Sequence, residues 1–206
     1  MTIKSPSIVA ADNRCVLFLD FDDVLCLNSP YGGFDVIAAL SQIQKNTAKV
    51  QDVEALWAQL FAPDACNLLE KIHNEFIPLY VLSTSWRLFM NRDALVVVLV
   101  NTGLEFIARN LHEHWQTPEF MSPQLRSREI GSWRVYDRHK NWVVLDDERS
   151  GTGFGEDYPF AANRPFIVLC REGFGLQACE YEKLRAAFGL RLSMTDLKMG
   201  GHHRNS

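Results

Sequence analysis

Short runs of apolar residues, each followed by a polar or acidic residue, recur along the chain. Three of the runs end just before Asp20, Ser83 and Asp146, and a fourth has no acidic ending. Continuous apolar runs of about four to eight residues, rich in Val, Leu and Phe, are typical of strands buried on both faces. The pattern predicts four strands, at residues 15–19, 77–82, 142–145 and 166–170.

Between these runs, apolar residues recur every three or four positions, which is the spacing of an amphipathic helix. Asp52 and Asp64 begin two such segments, and we expect each to cap a helix N-terminus, with Pro63 breaking the chain between them. The helices predicted from spacing cover residues 52–61, 64–76, 129–133 and 180–188.

The segment Arg92–Asn101 is ambiguous, since its three consecutive valines favour a strand by propensity. We expect a helix, because Asn91 can cap its start and Gly103 can end it. Strands alternating with helices predict an α/β fold with a mostly parallel central sheet and helices on both faces. Ligands of such sheets bind at the carboxyl ends of the strands, where Asp20, Ser83 and Asp146 fall.

Length, charge and the lengths of the apolar runs limit the number of domains and the class of protein. The 206 residues suit a single domain, for which we expect a core at about residues 14–190 with flexible tails. A net charge of -4 excludes a broad basic nucleic-acid footprint, although basic residues cluster between residues 126 and 140. The longest apolar run, residues 95–100, is far too short for a membrane span.

The five cysteines are scattered without CxxC spacing, and residues 1–11 lack the pattern of a secretory signal. We therefore expect reduced cysteines, most of them in the core, and a cytoplasmic protein.

Asp20 and Asp22 carry the first candidate chemistry. Two carboxylates at positions i and i+2 after a buried strand can both face one cleft, although paired acids can also simply cap a turn. Clustered carboxylates bind hard cations such as Mg²⁺. One carboxylate can attack a phosphorus atom, while the other protonates the departing alcohol and later activates water.

The segment from Val16 to Leu25 resembles the first motif of the haloacid dehalogenase (HAD) superfamily, an apolar strand followed by Asp-x-Asp-x-(Val/Thr)-Leu. The resemblance implies a three-layer Rossmann-like fold, a nucleophilic Asp20, a general acid and base at Asp22, and Mg²⁺ bound by Asp20 and by the backbone carbonyl of Asp22. Asp23 departs from the family, in which many members have Gly.

Ser83 matches the second superfamily motif, a hydroxyl residue at a strand end that donates to a phosphate oxygen. The residues that follow, Thr84-Ser85-Trp86-Arg87, resemble a capless branch that includes domains associated with bacterial RNA repair. In the third motif a cation holds the nucleophile and the phosphate together. The Arg-x-x-Glu-Ile pattern that starts at Arg126 resembles that branch, so Arg126 is the first candidate, followed by Lys140 and Arg128.

Asp146 and Asp147 match the fourth motif, an acidic pair after an apolar strand. By resemblance Asp146 ligates Mg²⁺ directly, while Asp147 ligates it or orients its waters. The glycine-rich residues 151–155 lack the order of a P-loop, so we interpret them as a flexible loop beside the site.

The resemblance implies a Mg²⁺-dependent phosphatase acting on a phosphomonoester. We expect residues 26–34 to form a flap beside the nucleophile and residues 35–76 to form at most a small helical lid. An open cleft suits a bulky phosphorylated substrate, such as a macromolecule or a nucleic-acid end. The alternatives are an RNA-processing phosphatase and a non-catalytic binding module on the same fold.

Overall fold

Five parallel strands form one sheet in the computed structural model, which describes residues 14–120, 125–137, 141–155 and 160–200. Their spatial order is β3-β2-β1-β4-β5, and every neighbouring pair is parallel. The strands are β1 (Val16–Leu19), β2 (Leu79–Leu82), β3 (Leu111–Gln116), β4 (Trp142–Asp147) and β5 (Ile167–Cys170).

Helices fill the connections between the strands, as parallel pairing requires. Short 3-10 helices follow β2 at Ser85–Leu88 and precede β5 at Ala161–Phe166. The α-helices are α1 (Gly33–Gln44), α2 (Val50–Gln59), α3 (Pro63–Phe76), α4 (Arg92–Asn101), α5 (Glu105–Arg109), α6 (Arg126–Asp137) and α7 (Ala178–Gly200). Between β1 and β2 the continuous segment 20–78 contains α-helices and no further sheet, as expected for a fold without a large cap.

The central strand β1 is covered on both faces. All four of its side chains have no exposed surface, and successive side chains of a strand point to opposite faces. On one of these faces the Trp133 ring of α6 packs edge-on against Phe18, with ring centroids 5.1 Å apart. The predicted layered α/β architecture is confirmed.

Several predicted boundaries need correction. Helix α2 begins at Val50 and α3 begins at Pro63, so Asp52 and Asp64 lie inside the first turns and do not cap them. Carboxylates in a first turn still interact favourably with the helix dipole, and proline suits the first helical position. Ile77 ends α3 in the left-handed region, with φ 44°, so β2 starts two residues later than predicted.

Asn91 caps α4 as predicted, its side-chain oxygen accepting a hydrogen bond from the Ala94 amide at 2.9 Å. Strand β3, which contains His112 and His114, was not predicted. All five cysteines are free, and three of them are buried. In the parts of the chain that the structure describes, no helix combines the length and apolar character needed to cross a membrane.

Candidate active site

The register of the three central strands brings the predicted residues together. Leu19 of β1 pairs with Leu82 of β2 and with Leu145 of β4. The next residues, Asp20, Ser83 and Asp146, therefore lie at the same level at the carboxyl edge of the sheet. Asp146 and Asp147 still belong to β4 and pair with Leu169 and Cys170 of β5, so β4 ends two residues later than predicted. Backbone hydrogen bonds continue the pairing, from Asp20 N to Leu145 O at 3.0 Å and from Ser83 N to Leu19 O at 2.9 Å.

Asp20 is a buried carboxylate with one oxygen held and one open. Its Oδ1 accepts a hydrogen bond from the Phe21 amide at 2.8 Å, whereas its Oδ2 has no hydrogen-bond partner among the described residues. Burial raises the pKa of Asp20 well above its ordinary value, and the neighbouring Asp146 raises it further. Arg126, with Nη2 3.6 Å from Asp20 Oδ2, opposes that shift.

Arg126 lies between the acids. Its Nε is 3.0 Å from Asp146 Oδ2, and its Nη1 donates to Glu129 Oε2 at 3.1 Å. Burial disfavours the charge on Arg126, but Asp146, Asp20 and Glu129 outweigh burial and hold its pKa above the ordinary value. This arrangement gives the site a fixed positive charge beside Asp20, as a third-motif cation requires.

Distant segments hold Arg126 in place. Its backbone amide donates to Thr152 Oγ1 at 2.9 Å, and the next amide, that of Ser127, donates to the Thr152 carbonyl at 3.1 Å. Glu129 also accepts from the buried Arg87, at 2.7 Å. The glycine-rich loop thus lies beside the site, as predicted, and caps α6. The sequence placed Arg87 and Glu129 in a family pattern but assigned them no role.

Of the other two candidate cations, the structure describes Arg128, which is exposed on α6. Lys140 lies outside the described residues. Arg126 is therefore the candidate that the structure brings to Asp20 and Asp146.

Asp20, Asp146 and Asp147 fit a hard metal ion. One carboxylate oxygen from each lies within 4.8 Å of the others, and all three side chains are buried. The Oδ2 atoms of Asp20 and Asp147 have no hydrogen-bond partner among the described residues, whereas the Oδ2 atom of Asp146 forms an ion pair with Arg126 Nε at 3.0 Å. Three buried carboxylates beside a single arginine form a costly arrangement that a further cation would relieve, and oxygen ligands of this kind suit Mg²⁺.

The remaining oxygens of the acidic pair are oriented by backbone. Asp147 Oδ1 accepts from the amides of Arg149 and Ser150 at 2.7 and 2.8 Å. Burial raises the pKa of Asp146 to about 6, with Arg126 opposing the shift and Asp147 adding to it. A carboxyl group with a raised pKa binds a proton more readily than an ordinary one, and this proton must leave when a metal cation binds.

The Asp22 carboxylate lies apart from this cluster, in a ring of neutral donors. Trp86 Nε1 reaches its two oxygens at 3.0 and 3.1 Å. Ser85 Oγ donates at 3.1 Å, and Asn28 Nδ2, from the predicted flap, donates at 3.2 Å. Three side chains from two segments of the chain thus fix the orientation of a half-buried acid at the edge of the site.

Asp23, the departure from the family pattern, has a structural role. Its φ of 53° lies in the left-handed region, which favours Gly and tolerates Asp. Its carboxylate accepts from the Gly173 amide at 2.9 Å. Asp23 therefore fastens the first-motif turn to the loop after β5.

Comparison with known proteins agrees with this geometry at the level of the family. Searches of curated proteins and of solved structures gave no match. One family model, described as the HAD domain in Swiss Army Knife RNA repair proteins, matches residues 16–179, which include every described motif residue above. The chain belongs to this family of HAD domains of the RNA repair type.

Proposed function

We propose that the protein is a Mg²⁺-dependent phosphatase that transfers the phosphoryl group of a phosphomonoester to Asp20. One observation carries the proposal: the open oxygen of Asp20 lies beside the fixed cation Arg126, on the strand edge that also presents Ser83 and Asp146. A nucleophile, a charge-neutralising group and a hydroxyl donor are the parts that phosphoryl transfer needs.

In the first step, an Asp20 oxygen bonds to phosphorus and the bond from phosphorus to the ester oxygen breaks. Asp22 gives its proton to the departing alcohol. In the second step, Asp22 takes a proton from water while the water oxygen bonds to phosphorus, and the bond from Asp20 to phosphorus breaks. Inorganic phosphate leaves and both acids return to their starting states.

Asp20, Asp146, Asp147 and the Asp22 backbone carbonyl would hold Mg²⁺. The ion would supply positive charge that offsets the repulsion between the carboxylates and the phosphate. Arg126 adds a second positive charge that does not depend on the ion, and the Ser83 hydroxyl, which is buried without a described partner, is available to donate to a phosphate oxygen.

Hydrolysis of p-nitrophenyl phosphate with and without Mg²⁺ tests the proposal. The wild-type protein should require the ion, and Asp20→Asn should lose at least roughly a thousandfold in kcat while remaining folded, as expected when a member of a catalytic unit is removed. Asp23→Asn is the matched control, because Asp23 contacts a loop amide and should keep most activity. Near-normal turnover by a folded Asp20→Asn protein would contradict the proposal.

The family match favours a nucleic-acid end as the substrate. Comparison of oligonucleotides with a 5′- or a 3′-phosphate against small phosphorylated metabolites would decide this point. A protein that binds such ends but turns over none of these substrates with Mg²⁺ would be a non-catalytic binding module.

A further inference from the structure

Two phenylalanine rings are stacked on the protein surface. Phe34, in the first turn of α1, and Phe89, after the 3-10 helix that follows β2, have ring centroids 5.8 Å apart and planes inclined by 14°. Their exposed fractions are 81% and 41%, and Phe34 is the most exposed large hydrophobic side chain among the described residues. Leu88, 60% exposed, adjoins them in sequence. An exposed apolar cluster of this kind indicates a binding surface.

The Phe34–Phe89 pair is joined to the candidate general acid through one side chain, Trp86. A Cβ atom at Gly33 would lie 2.9 Å from the Trp86 ring and 3.3 Å from the Phe89 ring, so the backbone before Phe34 packs directly on both. The Phe89 amide donates to the Trp86 carbonyl at 3.2 Å. Trp86 in turn holds Asp22 through its indole N–H. The Phe34–Phe89 pair thus lies next to Trp86, the side chain that positions Asp22.

The location of the Phe34–Phe89 pair beyond Asp22 corresponds to the leaving-group side of the substrate. In the proposed reaction Asp22 protonates the ester oxygen, so the group attached to that oxygen extends past Asp22, away from the buried carboxylates. The surface there offers flat aromatic faces and an aliphatic side chain. Flat apolar faces recognise planar rings by stacking, and they accept any nucleobase because every base has such a face.

We propose that the Phe34–Phe89 pair stacks on the base of the terminal nucleotide of a phosphorylated RNA end. The inference rests on the proposed phosphatase function and names its substrate class. RNA is recognised through unstacked terminal bases placed on aromatic side chains, and the family match to RNA repair domains favours this source of the base over a free nucleotide.

The experiment measures KM and kcat for an RNA oligonucleotide with one terminal phosphate. The phosphate is placed at whichever end, 5′ or 3′, the wild-type protein dephosphorylates. A second oligonucleotide has the same backbone and phosphate but an abasic terminal residue. The variants are Phe34→Ala, which removes the ring, Phe34→Leu, which keeps an apolar side chain, and Phe34→Trp, which keeps a stacking face. Tyr136→Ala is the matched control, an aromatic residue 75% exposed at the far end of α6.

For the natural end, Phe34→Ala and Phe34→Leu should raise KM about tenfold, within the range that loss of one stacked base produces, whereas Phe34→Trp and Tyr136→Ala should not. For the abasic end, all four variants should match the wild-type protein. Equal effects on both ends, or no effect on either, would overturn the inference.

Two further outcomes separate the possible failures. A wild-type protein that hydrolyses the two ends with the same KM overturns the stacking role and leaves the phosphatase standing. A lower KM for the free mononucleotide than for the oligonucleotide overturns the RNA-end assignment. If the wild-type protein hydrolyses neither end nor an aryl phosphate, the proposed function itself fails, and the inference fails with it.

Discussion

Two acids separated by one residue occupy different surroundings at this site. Asp20 is buried next to Arg126 and Asp146, and burial raises its pKa. Asp22 is half-buried and held by the neutral donors of Trp86, Ser85 and Asn28. Neighbouring carboxyl groups in different environments can take different chemical roles. In the proposed reaction these two environments belong to different roles: Asp20 attacks phosphorus, and Asp22 transfers protons.

This division of roles predicts that the activity lost on substitution of Asp22 depends on the leaving group. An alkyl alcohol needs a proton in order to depart, whereas an aryl alcohol with a low pKa departs largely unaided. Asp22→Asn should therefore lose at least about tenfold more activity on an alkyl phosphate than on p-nitrophenyl phosphate, measured as kcat/KM. Ser85→Ala, which removes one donor to Asp22, should show a smaller loss of the same kind. Equal proportional losses on both substrates would remove the acid and base role of Asp22.

The candidate residues at the carboxyl edge of the sheet could be predicted from sequence, because each directly follows an apolar run. Asp20, Ser83 and Asp146 were found in this way. Sequence made Arg126 the first candidate cation, but its contact with Thr152, in a loop 26 residues away, could be seen only in the fold. The stacked Phe34–Phe89 pair likewise joins segments more than 50 residues apart in sequence.

Among the elements, the loop after β4 most clearly positions its neighbours, Asp147 and helix α6. Its Gly151 amide donates to the Asp147 carbonyl at 2.8 Å, and Thr152 caps α6. A Cβ atom at position 151 would lie 2.5 Å from the Asp147 carbonyl oxygen and 2.7 Å from Leu169. The turn that orients Asp147 therefore requires a glycine at this position.

Gly151→Ala should reduce stability by roughly 1–3 kcal/mol, the usual cost of overpacking, and should raise the Mg²⁺ concentration needed for half-maximal activity. Gly155→Ala is the matched control, because a Cβ atom there would meet no atom of the described residues within 4 Å. Chemical denaturation and Mg²⁺ titration measure the two effects. If both variants behave like the wild-type protein, the loop does not position Asp147.

Strand β3 shows why part of the fold was not predicted. It is an edge strand whose residues alternate without a continuous apolar run, and none of its side chains is fully buried. Edge strands are specified by pairing with a neighbour rather than by burial on both faces. The strand order could not be predicted either, since the register of β1 with β2 and β4 depends on contacts between distant segments.

At the scale of the whole molecule, the buried acidic site lowers the stability of the folded protein when no metal cation is bound. Burial raises the pKa of Asp146 to about 6, so the folded protein holds a proton that the unfolded chain has already released at that pH. The contribution of Asp146 to stability is therefore complete below its ordinary pKa and is lost as pH rises towards 6. A bound cation would reverse this loss.

Thermal unfolding of the wild-type protein and of Asp146→Asn tests this linkage. Without Mg²⁺, the wild-type protein should lose roughly 2–3 kcal/mol relative to Asp146→Asn as pH rises from about 4 to about 7. At pH 7.5, Mg²⁺ should raise the Tm of the wild-type protein more than that of the variant. A difference between the two proteins that does not change with pH or with Mg²⁺ would show that Asp146 neither carries the raised pKa nor binds the ion.

The central claim is a covalent phosphoryl group on Asp20, and peptide mapping after a rapid acid quench tests it most directly. The wild-type protein and Asp22→Asn would be quenched during turnover of an aryl phosphate with Mg²⁺, and the peptide containing Asp20 would be analysed by mass spectrometry. We predict a hydroxylamine-labile phosphoryl group on Asp20, more abundant in Asp22→Asn because water is activated poorly, and absent in Asp20→Asn. Sustained turnover with no phosphoryl group on Asp20 in either protein would contradict the account.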